Sequence, residues 1–199
     1  MAITIDFDAA HKPQVPTIVL AKKNGDKLGK LDAVEVELTD SMNDKSEMTF
    51  KVYKSANGVK NNLWDEILDF RLVYCVEWDQ WFEITVEIDE ATETTKTVTC
   101  TSLGAAELSQ IMLYDIEINT EDDIARDDYV IPTILYNPDH PEASLLHRIT
   151  EKACHYTIAH VDGTIAKIQR TFSFDDKSIY DAFQDISEEI DCLFVLSAS

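Results

Sequence analysis

Hydrophobic and polar positions alternate through much of the first half of the chain. In VEVELTD, Val34, Val36 and Leu38 fall on one side and Glu35, Glu37 and Thr39 on the other; over 48–53, Met48, Phe50 and Val52 repeat the pattern. That period of two marks half-buried strands. Strands are also expected over 17–21 and 27–31, where the intervening Asn24-Gly25 is a strong hairpin signal. Residues 55–62 read as a polar connection and 63–69 as a short turn or helical piece. FRLVYCVEWDQWFEITVEI, residues 70–88, then makes a hairpin. Its second arm sets Phe82, Ile84, Val86 and Ile88 against Trp81, Glu83, Thr85 and Glu87, and its first arm is apolar enough for deeper burial. The loop holds Asp79 and Gln80 alone or extends to Trp78 or Trp81. Cross-strand aromatics are ordinary sheet stabilisers; a carbohydrate or ligand platform at Trp78 and Trp81 is the functional alternative. The threonine-rich segment 92–102 completes six or seven short strands, which predicts an antiparallel barrel or sandwich.

Around Gly104 the period changes. A short helix fits 103–112, and a strand fits 114–118. A better helix is expected from Asp139, whose spacing to Glu142 suits a capping box, with Pro141 in the first turn and Leu145, Leu146, Ile149 and Ala153 as its stripe. Strands are expected over 156–161, 170–174 and 192–196. Ser178 caps a last helix carrying Ile179, Phe183, Ile186 and Ile190 at helical spacing. The expected class is α+β, with a β domain over 1–103 and a small mixed α/β domain over 104–199.

Composition narrows the function. With 199 residues and 45% hydrophobic content the chain is long enough for one large or two small domains. No apolar run approaches membrane-helix length and MAITIDFDAA is unlike a signal peptide, so synthesis and folding in the cytosol are expected. The 38 acidic and 17 basic residues leave a net charge of −21, a field that repels nucleic acid and anionic membranes. Cys75, Cys100, Cys154 and Cys192 are widely spaced, and reduced thiols are expected.

Candidate chemistry is sparse. The five glycines form neither a dinucleotide nor a phosphate loop. EDDIARDD lacks the alternating ligands of a calcium loop and reads as a solvated segment. Cys154, His155 and His160, with His147 nearby, do not have zinc spacing, and adjacent Cys and His in a strand point to opposite faces. No nucleophile elbow occurs, and same-face acids such as Glu83 and Glu87 are commonplace on exposed strands. No catalytic, cofactor or metal residues are assigned.

Four segments carry a resemblance: NLWDEILDFRLVYCVEWDQWFEI, KTVTCTSLGAAELSQIMLYDIEINTEDDIARDDY, TILYNPDHPEASLLHRITEKACHYTIAHVD and RTFSFDDKSIYDAFQDISEEIDCLFVL. Together they resemble the N-terminal region of phage minor structural tail proteins, over about residues 15–196. These are the hub or tail-associated lysin proteins, the prophage endopeptidase tail family, of long-tailed phages of Gram-positive bacteria, related to the contractile-phage baseplate hub and the type VI secretion spike.

The resemblance implies a tail-tube-like β-barrel followed by a small α/β domain. It also implies a second barrel further on, so that three chains form a ring, with the distal tail protein and tail tube proteins as partners and a location at the virion tail tip. Any peptidase activity would belong to downstream regions that the chain is expected to lack, and the fragment alone could be monomeric. In such a ring an acidic wall would let DNA pass without binding; Glu35, Glu37, Glu83 and Glu87 are the candidate channel-facing acids, and Trp78 and Trp81 the candidate inter-subunit contacts.

Overall fold

The computed structural model describes residues 15–40, 43–85, 94–126 and 131–196. Two compact units divide the chain, Met1–Ala106 with Leu196–Ser199, and Glu107–Val195.

In the first unit β1 (Ile18–Ala21) turns through Asn24-Gly25 into β2 (Lys27–Leu31), with Gly25 at φ +86°. Asp32 alone separates β2 from β3 (Ala33–Thr39), and β4 (Glu47–Tyr53) follows. The stretch expected as a plain polar connection contains a small hairpin, β5 (Ser55–Ala56) and β6 (Val59–Lys60). It turns on Asn57-Gly58, with φ of 51° and 78°, the left-handed pair that a tight hairpin demands and that Asn-Gly adopts at least cost. A 3-10 turn at Trp64–Glu66 precedes β7 (Leu72–Cys75), β8 (Gln80–Ile84) and β9 (Thr95–Ser102).

Seven of these strands make one antiparallel sheet in the order β2-β1-β7-β8-β9-β4-β3. One face buries a single core that includes Ile18, Leu20, Phe50, Val73, Phe82 and Val98, all fully buried. Trp64 lies at this core, and Lys96 Nζ fastens the 3-10 turn over it by donating to the carbonyls of Trp64 and Ile67 at 2.9 and 3.0 Å. Burial from the surrounding apolar groups holds the Lys96 ammonium below its ordinary pKa.

The expected closed barrel is not formed. The sheet is open, with β2 and β3 as its edges and no ladder between them among the described residues. Both edges are interrupted by bulges. The β1–β2 register passes from Leu20↔Gly29 to Ala21↔Lys27, and the β3–β4 register from Val34↔Lys51 to Glu37↔Thr49, with Glu35 at φ +51°. A bulge bends its strand and breaks the regular row of donors and acceptors, which blunts an edge against pairing. The β3 bulge also corrects the expected facing of that strand. Ala33, Val36 and Leu38 pack on the core, whereas Val34 stands opposite Lys51 on the other face.

After β9 the chain enters α1 (Leu103–Leu108). The second unit contains β10 (Met112–Leu113), β11 (Ile116–Ile118) and α2 (Glu121–Ile124), followed by α3 (Leu145–Thr150), β12 (Phe172–Phe174), β13 (Lys177–Ser178) and α4 (Ile179–Ile190). Ser178 caps α4 as its sequence predicts: Oγ accepts from the Asp181 amide at 3.0 Å. The helix expected from Asp139 is shorter, because Pro141–Ala143 forms a 3-10 turn and Ser144 becomes the N-cap of α3.

The expected mixed α/β domain is corrected as well. Its ladders are only two-stranded pairs, β10 with β13 and β11 with β12. Residues 156–161 and 192–196 are not strands. Over 156–161 no residue is buried, so a strand there would have no apolar face to bury. Turn bonds, such as Leu135 N to Ile168 O and Tyr136 N to Ala166 O, serve much of the backbone in this unit instead.

Candidate functional site

The face of the seven-stranded sheet opposite its core collects most of the residues that the sequence singles out. Side chains directly opposite one another in a ladder share a face, so the register assigns them. Thr49, paired with Thr99 and Glu37, lies beside Lys51, paired with Thr97; Glu47 is paired with Thr101 and Thr39, and Thr101 with Glu83. Tyr74 stands opposite Trp81 on the same face. The result is a stripe of hydroxyls and carboxylates running from β8 to β3, with one aromatic pair beside it.

Glu35 sits at the β3 bulge and accepts from Lys51 Nζ at 2.5 Å on the exposed surface. Glu37 is exposed two residues on. Glu83 differs: it is only 3% exposed, and its partner among the described residues is Lys23, whose Nζ is 3.7 Å from Oε2. Glu87 lies outside the described residues. The two acid pairs expected to act alike are therefore separated, since β9 and β4 lie between β8 and β3 and only Glu35 and Glu37 present open carboxylates.

Loop and strand divide the two tryptophans. Residues 76–79 form the hairpin loop, so Trp78 belongs to the turn, where it packs on the core. Trp81 belongs to β8 and stacks against Tyr74 with centroids 4.9 Å apart. Lys27 Nζ lies 5.1 Å from the Tyr74 ring centre, and Tyr74 donates its hydroxyl to Asp79 Oδ1 at 2.6 Å. That hydrogen bond, with some burial, pushes the phenol pKa upward. Trp78 and Trp81 thus do not form one flat platform; the exposed aromatic pair is Tyr74 with Trp81. The position of Tyr74, seven residues before Trp81 across a four-residue loop, could have been found by pairing the two arms.

In the second unit a cleft of about 1050 Å³ is lined by residues including Asp123, Arg126, His147, Arg148 and Cys154. Its charges are already matched: Arg126 meets Glu117 at 2.6 Å, and Arg148 lies 3.7 Å from Asp123 while donating to the Glu117 carbonyl at 2.8 Å. EDDIARDD, expected as solvated, contributes the buried Asp123, whose Oδ2 accepts from the Asn119 amide at 2.7 Å; Asp127 and Asp128 lie outside the described residues. His147 bonds Ser144 Oγ, while His155 lies 3.3 Å from Glu107. No group of three His, Cys, Asp or Glu among the described residues is placed to hold a metal ion. Nor is any helix among them long and apolar enough to cross a membrane.

Comparison of the fold decides what this architecture is. It is the fold of a phage tail protein. Over 90% of the chain superposes on the crystal structure of prophage tail protein gp18 from Listeria monocytogenes EGD-e, with a TM-score of 0.58 and 11% sequence identity. The match covers 48% of that chain, so the present chain spans about half the length of its structural neighbour. No family model matches the sequence. No curated protein matches it either.

Proposed function

We propose that this chain is a structural component of a phage or prophage tail, part of the tip or baseplate hub that joins the tail tube to the tip. The observation that carries the reading is the likeness to a prophage tail protein across nearly the whole chain, with the resemblance of the sequence segments beside it. The role assigns no catalysis to these residues. In the full assembly the chain would act as a homotrimer, with the distal tail protein and tail tube proteins as neighbours.

A role for the polar sheet face follows from its chemistry. A surface of threonine hydroxyls and exposed Glu35 and Glu37 offers no cations to replace the counterions of a passing duplex, and retention on a surface depends on that exchange. We propose this face as the wall toward the DNA exit channel, with Trp81 at its margin as a contact between subunits. Glu83, enclosed beside Lys23, has no part in that wall.

The test is immunogold electron microscopy of particles induced from the source strain, using antibody raised against this chain, on intact and on disrupted tails. Gold confined to the tail tip is the expected result. Unlabelled tails in both preparations would refute a virion role, and gold along the tube would refute the tip.

A further inference from the structure

We propose that copies of this chain bind head to tail, the extended segment after α4 of one copy entering a groove beside the β2–β3 corner of the next. This goes beyond the tail reading, although it would supply a contact between subunits that the reading requires.

Each half of the contact is apolar surface left open in the single chain. The groove, about 320 Å³, is lined by Val15, Tyr53 and Val59, with Lys30 and Lys60 at its rim. Those three apolar residues are 51%, 43% and 72% exposed. Residues 192–196 supply the other half. They run on from Asp191, which ends α4 in a left-handed conformation at φ +55°. Phe194 turns back toward the helix, with ring centres 5.9 Å from Tyr180 and 5.4 Å from Phe183. Its neighbours Leu193 and Val195 are left 63% and 87% exposed. An extended segment that anchors one side chain and presents those on either side is the form in which strands enter grooves on partners.

Charge favours a second copy as the occupant. Lys30 and Lys60 are two of only 17 basic residues on a chain of net charge −21, and both stand exposed beside the groove. Glu188 and Asp191, both exposed, immediately precede the extended segment. A basic rim thus meets an acidic approach on a molecule whose surface otherwise repels its own copies. The two patches differ, so the contact is heterologous: each copy offers one groove and one segment, and repetition produces a ring or an open filament. Five extended residues bury much less than a standard interface, so a single contact has a Kd of roughly 0.1–1 mM, and closure of a ring would strengthen it by avidity.

Sedimentation velocity on the full chain up to about 1 mM, with Val59→Asp and Val195→Asp, tests the contact. Both side chains are so exposed that folding should be unaffected, which circular dichroism will check. The parent is expected to associate as concentration rises, and each variant alone to remain monomeric. Mixed in equal amounts, the variants should form a dimer and nothing larger, because only one intact groove can meet one intact segment. A monomeric parent would overturn the proposal, as would variants that associate like the parent or a mixture that stays monomeric. Each result is independent of where antibody labels the tail, so failure here and failure of the tail reading are separable.

Discussion

Tyr74 and Trp81 stand directly opposite each other on β7 and β8, their ring centroids 4.9 Å apart, while Trp78, three residues before Trp81, packs on the opposite side against the core. The two indoles should respond differently to truncation. Trp81→Ala removes one cross-strand aromatic pair and should cost about 1 kcal/mol. Trp78→Ala withdraws a large side chain from the core margin and should cost about 3 kcal/mol. Urea unfolding of both variants checks the order; equal losses would refute the assignment of the indoles to opposite faces.

Asn119 ties three segments of the second unit together. Its Oδ1 accepts from the Thr133 amide at 2.9 Å, its Nδ2 donates to the Thr133 and Arg170 carbonyls at 2.8 and 2.9 Å, and its backbone sits at φ +54°. Asn119→Ala would leave a donor and two acceptors unpaired and place alanine in a left-handed conformation, at a combined cost of about 3–4 kcal/mol. A loss under about 1 kcal/mol in chemical denaturation would contradict the network's structural role.

Glu83 is enclosed, while the side chain of its partner Lys23 is 65% exposed. Removing the lysine strands a buried carboxylate; removing the charge from the acid does not. Lys23→Ala is accordingly expected to destabilise by about 1 kcal/mol, and Glu83→Gln to be neutral or slightly stabilising. The same unfolding curves distinguish the two, and a larger loss in Glu83→Gln than in Lys23→Ala would reverse this account.

Burial raises the Cys75 thiol from its ordinary 9.0 to about 11, and burial also pushes Cys100 upward. A raised folded-state pKa means that the folded form holds its proton when the unfolded form has lost it. The contribution is therefore whole below pH 9 and is lost as pH rises from about 9 to about 11. For Cys75 the loss amounts to about 2 kcal/mol, and Cys75→Ala should flatten the alkaline decline in stability. In the native protein at neutral pH a thiol reagent should label the exposed Cys154 first and leave Cys75 and Cys100 unmodified. Early labelling of either buried thiol would contradict their placement.

Legibility in the sequence followed the range of the interactions involved. Alternation found β4 with Met48, Phe50 and Val52 inward, since each choice depends only on neighbours two residues away. The Ser178 cap and the apolar stripe of α4 were legible for the same reason. Val34 was misassigned because the β3 bulge changes the facing partway along the strand, and a bulge is defined by its partner strand. The β5–β6 hairpin was missed although Asn57-Gly58 announced it.

For the polar face, sequence supplied its ingredients, Glu35, Glu37, Glu83 and the threonines of β9. Their separation depended on strand order. By itself the sequence determined which residues favour strands, which cap helices and that the surface is strongly acidic, because backbone propensity, periodicity and charge are local or additive properties. Only the tertiary structure decided that the sheet is open, that Glu83 is enclosed while Glu37 is not, and that Trp78 and Trp81 part company. Each of those outcomes depends on which distant segments share a ladder or a core, and ladder pairing is chosen by the free energy of the whole fold.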